Sequence, residues 1–504
     1  MRQSKQTANF WVRHLSLRPD RFASPMAEPK SARASHDRLS PSDMSSLLAE
    51  RGPIHVHVGA TLIVQGKPPP YDDFVSHVRK RLSLVPRFRQ RVTPTPLGLD
   101  NPVWADDPRF DITWHVRHAA LPKPGTMAQL RELAGRLLSQ PLDLDRPLWQ
   151  LYLIEGLEGK RHAYVNKTHH ALVDGVSAVD VGTIILDPSK DGSEVAVPDS
   201  EWEPDQPSAG LLLVRGASER IARPIRTARK AARSAVTMPR STARNVMSTA
   251  EAFAGLAAGG PNAPQTILNQ DIGRDRRIAF VQTELGLLKE ARGSGGATVN
   301  DLILAGTAGG LRRYLVRHNQ RLPEHVVALV PMSVRREEEA GDLGNRVATL
   351  MVPLPIRERE PSTRLAEVHA TTTRLKASKQ AAAASLVIEA TGWTPPTINR
   401  VLAGALSRPL NWNLVVSNVP GPPVPFYLLG RQIEAIYPSV PLSPQGHALS
   451  IGVLSYNGGV FFGLVGDRDV ISDIDALADD LAQSIDEQIR AAGLDAKRTA
   501  DVAR

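Results

Sequence analysis

The chain has 504 residues and a formal net charge of +9, and it contains no cysteine. Disulfide bonds, thiolate nucleophiles and cysteine-ligated metals are therefore excluded. No apolar run reaches the roughly 18 residues of a membrane-spanning helix, and the N-terminus has no apolar core of a secretory signal, so neither segment is expected.

Residues 1–36 are polar and basic, and we expect them to form a disordered extension. A first α/β domain is predicted over residues 37–186. Hydrophobic periodicity predicts a strand over 55–64 and amphipathic helices over 71–84 and 127–138.

The most informative pattern is the heptapeptide HHALVDG at residues 169–175. It follows a predicted hairpin, with strands over 150–154 and 161–168 and a Gly-rich turn over 156–159. Side chains alternate faces along a strand. If the extended geometry persists, His169 and His170 point in opposite directions, so that one can face a reaction centre while the other supports it.

A neutral imidazole can take a proton from a hydroxyl at neutral pH, which makes the double histidine a candidate general base. The alternative is a pair of strand-end histidines satisfied by backbone groups. A metal site is not expected, because adjacent strand residues point apart and no cluster supplies further ligands. The sequence contains no G-x-S-x-G, G-x-G-x-x-G or P-loop pattern in the required context, so direct transfer between two bound substrates is the simplest scheme.

Residues 187–275 are rich in Pro, Ser, Gly and Arg and are predicted to be an interdomain connection. A second α/β domain is predicted over 276–493, followed by a flexible tail over 494–504. Its predicted helices are 299–315 and 470–492; its predicted strands are 326–334, 347–354 and 414–418, with a strand pair over 449–464 around Asn457-Gly458-Gly459.

The excess of positive charge is concentrated in residues 211–245, which carry a single acidic residue, Glu219. Three interpretations are open: a solvated linker, a nucleic-acid contact, or amphipathic helices on an anionic membrane, interrupted by Pro224. Nucleic acid is the least favoured, because the segment lacks aromatic residues that could stack on bases.

The sequence resembles the bacterial wax ester synthase/acyl-CoA:diacylglycerol acyltransferase family, within the CoA-dependent acyltransferases that share an H-x-x-x-D motif. The resemblance extends from about Leu39 to Leu481. It is carried by HHALVDG and by seven further elements in the family's order: LSPSD at 39–43, PLW at 147–149, ND at 300–301, VPMSVR at 330–335, GN at 344–345, NVPGP at 418–422 and SYNG at 455–458. It implies an α/β fold of two chloramphenicol-acetyltransferase-like domains, with mixed sheets facing a central substrate channel.

The resemblance also implies roles for the motif residues. His170 would be the general base that deprotonates the acceptor hydroxyl. His169 would support the local structure or the second substrate. Asp174 would hold the loop rather than orient the base, and Gly175 would let the chain pass close to the channel. The PLW and NVPGP elements are expected to be structural.

Two asparagines are candidates for oxyanion stabilisation or site support. Asn300 is expected either to form a hydrogen bond in the site or to cap its helix. Asn418, at a strand end, is expected to help an oxyanion or to be structural.

The expected activity is direct acyl transfer from long-chain acyl-CoA, a co-substrate rather than a bound cofactor, to diacylglycerol, giving triacylglycerol. Long-chain alcohols giving wax esters are the close alternative. Rivals are an acyltransferase for a polyketide-type diol or carrier-protein thioester, and a non-catalytic lipid-surface binding protein. With lipid substrates, the membrane interpretation of residues 211–245 is favoured, which implies a cytoplasmic protein peripheral to membranes or lipid droplets.

Overall fold

The structure is a computed structural model. It describes residues 37–50, 52–96, 101–173, 185–192, 202–208, 210–214, 263–293, 295–333, 347–377, 412–442 and 446–495. The predictions for residues 1–36 and for most of the connection and the tail lie outside these ranges.

The described residues form an α/β fold. The helices are α1 (Pro41–Ala49), α2 (Tyr71–Arg81), α3 (Ile112–His115), α4 (Met127–Ser139), α5 (His170–Val173), α6 (Leu285–Ala291), α7 (Val299–Arg317), α8 (Pro361–Ala377) and α9 (Ile474–Ala491). The strands are β1 (His57–Gln65), β2 (Gln90–Thr93), β3 (Val103–Asp106), β4 (Val116–Ala120), β5 (Trp149–Leu157), β6 (Arg161–His169), β7 (Arg276–Glu284), β8 (His325–Ser333), β9 (Val347–Pro355), β10 (Leu414–Pro420), β11 (Tyr427–Leu428), β12 (Arg431–Ser439), β13 (Leu449–Tyr456) and β14 (Gly459–Asp467).

The strands build two six-stranded sheets, in the orders β11-β12-β1-β6-β5-β4 and β7-β14-β13-β10-β8-β9. Both are mixed: β4 runs parallel to β5, and β10 runs parallel to both β8 and β13, while the other pairs are antiparallel. The expectation of an α/β fold with mixed sheets is confirmed.

Three helices begin at a capping box, in which a Ser or Thr side chain accepts from a backbone N–H three residues on and the residue there accepts in return. The pairs are Ser40 with Asp43 before α1, Thr126 with Gln129 before α4, and Thr298 with Asp301 before α7. These local signals explain why the three helices begin where they do.

The predicted helices and strands are present, with ends that differ by a few residues. Sequence periodicity did not identify the remaining elements, which are α1, β2, β3, α3, β4, α5, β7, α6, α8, β11 and β12. The omission of β12 matters most, because this strand comes late in the chain and yet pairs antiparallel with β1 in the first sheet.

Strand β12 packs against the second sheet at a pair of glycines. Gly452 and Gly463 are register partners on β13 and β14. A Cβ atom at Gly463 would lie 1.8 Å from the carbonyl oxygen of Pro438 in β12, and one at Gly452 would lie 3.2 Å from the same oxygen. The absence of side chains at both positions therefore allows β12, a strand of the first sheet, to lie close against β13 and β14 of the second.

Two hydrophobic cores result. One lies around the first sheet and includes residues from the second half of the chain, such as Phe280, Tyr437 and Phe461. The other surrounds α7 and α9 against the second sheet. The two halves also meet where α4 packs on β7.

Candidate active site

The hairpin of β5 and β6 carries the double histidine at its open end. The backbone N–H of His169 donates to the carbonyl oxygen of Leu148 at 2.9 Å. Trp149, next in the chain, is 3% exposed, and its indole N–H donates to the carbonyl oxygen of Phe88 at 2.7 Å. The PLW element is thus part of the core beneath the histidines.

Strand β6 ends at His169, and His170 is the first residue of α5. Extended geometry therefore does not continue through both histidines, and the condition for their pointing in opposite directions along a strand is not met. The Nδ1 atom of His169 accepts from the backbone N–H of Ala171 at 3.1 Å, and His170 N–H donates to the carbonyl oxygen of Val56 at 2.9 Å. These two bonds turn the chain, and the two rings still have different surroundings, because His169 is fully buried while His170 is half-buried.

The buried His169 faces a carboxylate that sequence analysis did not single out. Its Nε2 atom lies 3.0 Å from Oε2 of Glu50, the C-cap residue of α1. The other carboxylate oxygen lies 3.2 Å from Nε2 of His57 and 3.6 Å from Nδ1 of His55. We refer to Glu50, His55, His57 and His169 as the Glu50 cluster.

The sequence held only a weak signal for this cluster. The segment from Glu50 to His57 reads ERGPIHVH, and the two histidines two residues apart share one strand face. Nothing local connects them to His169. That connection comes from the antiparallel register of β1 and β6, which makes His57 the partner of His169.

The electrostatics of the cluster favour an ionised carboxylate. Burial acts to raise the pKa of Glu50, but contacts with the three imidazoles outweigh it and hold the pKa well below its usual range. Burial lowers the pKa of His57 to about 4, although Glu50 acts in the opposite direction. At neutral pH the cluster therefore contains a carboxylate and a neutral His57.

A buried lysine lies on the same face of β6, two residues before His169. Lys167 is fully buried, and its Nζ atom donates to the carbonyl oxygens of Leu137 and Gln140 at 2.9 and 2.8 Å, where α4 ends. Burial, with a smaller contribution from the charge of Arg117, lowers the pKa of Lys167 to about 7. This lysine fastens α4 to the strand that carries the histidines.

Two predicted site residues meet where β10 of the second sheet lies beside the start of α7. The side-chain amide of Asn418, near the end of β10, donates to Oδ1 of Asn300 in the first turn of α7 at 3.2 Å. Thr298 caps α7, so the cap assignment for Asn300 is wrong. The Nδ2 atom of Asn300 is buried and has no hydrogen-bond partner among the described residues.

The neighbouring Asp301 has a different, structural environment. It is fully buried and accepts from the Thr298 backbone N–H at 2.8 Å, from Thr372 Oγ1 at 2.6 Å and from His369 Nδ1 at 2.9 Å. Asp301 therefore ties the start of α7 to α8. Within the ND element, Asp301 thus has a structural role, and Asn300 is the residue that contacts Asn418.

Asp174 and Gly175 lie outside the described residues. The chain is described again from Ile185, where it is held by α2. His77 Nε2 donates to the Ile185 carbonyl oxygen at 2.8 Å, and Arg81 Nη2 donates to Asp187 Oδ1 at 2.5 Å. The far end of the segment that follows HHAL is thus anchored to a buried helix face.

A cavity of about 570 Å³ lies between the two sheets, at the opposite end of β6 from His169. Its lining includes Ile63, Tyr437 and Phe461, with Arg161 and Glu434 as charged members. Since β6 rises by about 3.3 Å per residue, this end lies roughly 26 Å from His169. The histidines are therefore not part of the lining of this cavity.

Among the residues that the structure describes, no group of three or more His, Asp or Glu side chains is arranged to hold a metal ion. Within the same ranges, no helix has both the length and the apolar character needed to cross a bilayer.

Family models match most of the chain. The model of the wax ester synthase/diacylglycerol acyltransferase catalytic domain matches residues 39–303, and that of the family's C-terminal domain matches residues 343–488.

Relatives of known name agree with this match. Two proteins of Mycobacterium tuberculosis, each named as a probable diacylglycerol O-acyltransferase, are 31% and 30% identical to the chain. The first alignment covers 91% of this chain and all of the relative, and the second covers 88% and 93%.

Solved structures give the same result. The wax ester synthase/diacylglycerol acyltransferase from Marinobacter aquaeolei VT8 superposes with a TM-score of 0.64 at 28% identity, over 91% of this chain and 100% of that one. The starter condensation domain of rhizomide synthetase superposes with a TM-score of 0.54 at 14% identity, over 94% and 98%, and shows a shared fold alone. The chain therefore belongs to the wax ester synthase/diacylglycerol acyltransferase family and is an acyltransferase.

Proposed function

We propose that the protein transfers the acyl group of a long-chain acyl-CoA to the hydroxyl of diacylglycerol, giving triacylglycerol and free CoA. The observation that carries this proposal is the placement of His170. Its backbone is fixed at the open end of the β5–β6 hairpin, and its half-buried side chain stands beside a fully buried, supported His169. The names of the curated relatives support diacylglycerol as the acceptor.

In the proposed reaction, His170 takes the proton of the acceptor hydroxyl as the oxygen attacks the thioester carbon. The resulting tetrahedral oxyanion is stabilised by hydrogen-bond donors, for which the amide groups of Asn300 and Asn418 are the candidates. Collapse of the intermediate breaks the carbon–sulfur bond, and His170 returns its proton to the departing CoA thiolate. No acyl-enzyme forms, so both substrates are bound together.

The rest of the motif has supporting roles in this proposal. His169 fixes the turn that presents His170. Asp174 holds the following loop, and Gly175 lets the backbone pass close to the substrates. Acyl-CoA and diacylglycerol are the only small molecules required in this proposal. Acyl-CoA serves as a co-substrate, and no metal takes part.

A second acceptor class, long-chain alcohols, is supported by the name of the Marinobacter protein, which includes wax ester synthase. The test offers palmitoyl-CoA with diolein or hexadecanol in parallel, follows thiol release, and resolves the lipid products. Acceptor-dependent release of CoA with formation of triacylglycerol is expected. Release with hexadecanol alone would make the protein a wax ester synthase, and release with neither would favour a carrier-thioester or diol acyltransferase or a non-catalytic lipid-binding protein.

His170→Ala tests the base within the same assay. We expect kcat to fall by about 10²-fold or more, the usual scale for the loss of a general base. His118→Ala is a matched control, because His118 is an exposed histidine on β4 that pairs with Glu155. A folded His170→Ala protein with near-normal turnover would contradict the assignment.

We also propose that the protein is cytoplasmic and binds anionic membranes or lipid droplets peripherally through the basic segment 211–245. At the start of this segment, Leu211 and Leu213 are 41% and 36% exposed, whereas Leu212 is buried. Co-sedimentation with phosphatidylserine-containing vesicles, but not with pure phosphatidylcholine vesicles, is expected and should weaken as salt is raised. Equal binding to both kinds of vesicle would contradict an electrostatic contact.

A further inference from the structure

A buried carboxylate links three elements beside the proposed base. The Glu50 side chain is 12% exposed and lies at the end of α1, while its two oxygens contact His57 on β1 and His169 on β6. An ionised group in such a place is costly unless its partners compensate for the lost hydration. The imidazoles around Glu50 supply this compensation, so the carboxylate and the histidines act as one unit.

These contacts connect Glu50, through His169, to the backbone next to His170. Because His169 Nδ1 accepts from the Ala171 backbone N–H, the ring proton of a neutral His169 is on Nε2, the nitrogen beside Glu50. One ring nitrogen of His169 thus lies beside Glu50, and the other binds the Ala171 N–H. His170 lies between these two residues, and its own N–H is held by Val56.

The second half of the chain braces the same region. Arg276, on β7, donates from Nη2 to the Pro53 carbonyl oxygen at 2.6 Å, within the loop that leads from Glu50 to β1. Its Nη1 atom donates to the Gly273 carbonyl oxygen at 2.7 Å and lies 3.5 Å from Asp467. The loop that carries the cluster is therefore fixed from both halves.

We infer that Glu50 is a positioning residue for His170, acting through His169 on the turn between β6 and α5. This inference rests on the proposed role of His170 as the base. Glu50 touches no reacting atom; it holds the tautomer and orientation of His169, and thereby the backbone on both sides of the base.

Glu50→Gln tests this, because it keeps the side-chain shape and removes the charge. A glutamine amide can accept from one imidazole but presents an N–H₂ group to the other. His169 cannot change tautomer without losing its bond to Ala171, so the turn should shift. We expect kcat to fall about 10- to 100-fold, as for a displacement of about 1 Å, while KM for palmitoyl-CoA stays within about threefold. Glu155→Gln is the matched control, because it alters a glutamate that pairs with an exposed histidine.

A double-variant cycle separates positioning from general support. If Glu50 acts through His169, then Glu50→Gln and His169→Gln together should lower kcat no further than the worse single variant. Losses that multiply would overturn the inference, as would a Glu50→Gln protein that melts earlier but keeps kcat within twofold. Should Glu50→Gln fail to fold, Glu50→Asp serves instead, since it keeps the charge and shortens the reach, with the same expected split between kcat and KM.

The controls also separate this inference from the proposed function. Wild-type protein that releases no acceptor-dependent CoA, or that keeps its activity after His170→Ala, would defeat the proposed function itself. A wild-type enzyme that depends on His170 but is indifferent to Glu50→Gln would defeat only the positioning role.

Discussion

Asn418, near the end of β10, donates its side-chain amide to the side-chain oxygen of Asn300, in the first turn of α7, over 3.2 Å. The bond joins two sequence motifs that lie far apart in the chain. It also leaves the Nδ2 atom of Asn300 as a buried donor with no hydrogen-bond partner in the described part of the protein. A donor held in this way is suited to an oxygen that becomes negative during a reaction.

We predict that Asn300→Ala lowers kcat by at least about 10-fold, because the loss of one oxyanion donor commonly costs 10²-fold or more. Asn418→Ala should have a similar effect, since Asn300 then loses the partner that orients it. The measurement is CoA release at saturating substrates, with Gln320→Ala, an exposed change beyond the end of the same helix, as the control. Unchanged kcat in both asparagine variants would assign the pair to structure alone.

Lys167 should give the protein a distinctive dependence on pH. Its pKa is about 7 in the folded protein, below the value of about 10.4 for a free lysine. Between these values the unfolded chain binds a proton that the folded chain does not. The free energy of unfolding therefore rises as the pH rises from about 7 towards about 10. This pH-dependent gain is absent below pH 7.

Lys167→Met removes this contribution while keeping the length of the side chain. We expect urea denaturation at pH 7 and pH 9 to show a smaller gain for the variant, by on the order of 1–3 kcal/mol. Lys289→Met, an exposed change on α6, should leave the gain unaltered. Equal gains for wild type and Lys167→Met would mean that the buried amine keeps an ordinary pKa.

The glycines beneath β12 should tolerate no side chain. A Cβ at Gly463 would lie 1.8 Å from the Pro438 oxygen, and the obstacle is backbone, so the strand itself would have to move. We expect Gly463→Ala to lower the free energy of unfolding by about 3 kcal/mol or more, or to prevent folding. Thermal and urea denaturation measure the effect.

Gly286→Ala provides the comparison for that variant. No heavy atom lies within 4 Å of the position that its Cβ would occupy in α6, so the change should be neutral or stabilising by up to about 1 kcal/mol. Similar stability of the two alanine variants would show that β12 does not need the glycine pair.

Local sequence patterns predicted the elements that contribute most to the candidate site. Alternating residues around 161–168 and the following double histidine predicted β6 and its end, and the 299–315 periodicity predicted α7 with Asn300 in its first turn. These features depend on neighbours in sequence, as the periodicity of strands and helices and the chemistry of caps do. The change from strand to helix at His170 was missed, because it depends on a hydrogen bond with Val56, a distant residue just before β1.

The rest depends on contacts between distant segments. Residues 431–439 alternate in burial, but sequence analysis did not identify them as a strand, and nothing local indicated that they pair with β1. The same holds for Glu50, whose importance arises only when β1 and β6 are in register and bring His57 and His169 to one carboxylate. Pairing over such separations is set by the global fold and not by local propensity.

The position of β12 in the first sheet has a consequence for synthesis of the protein. On a ribosome, β1 and β6 are made early, but the neighbour that covers the other edge of β1 does not exist until residues 431–439 emerge. Until then β1 is an uncovered edge strand, with backbone groups available to any other extended chain. The edge of β1 can therefore be covered by its own chain only when translation is nearly complete.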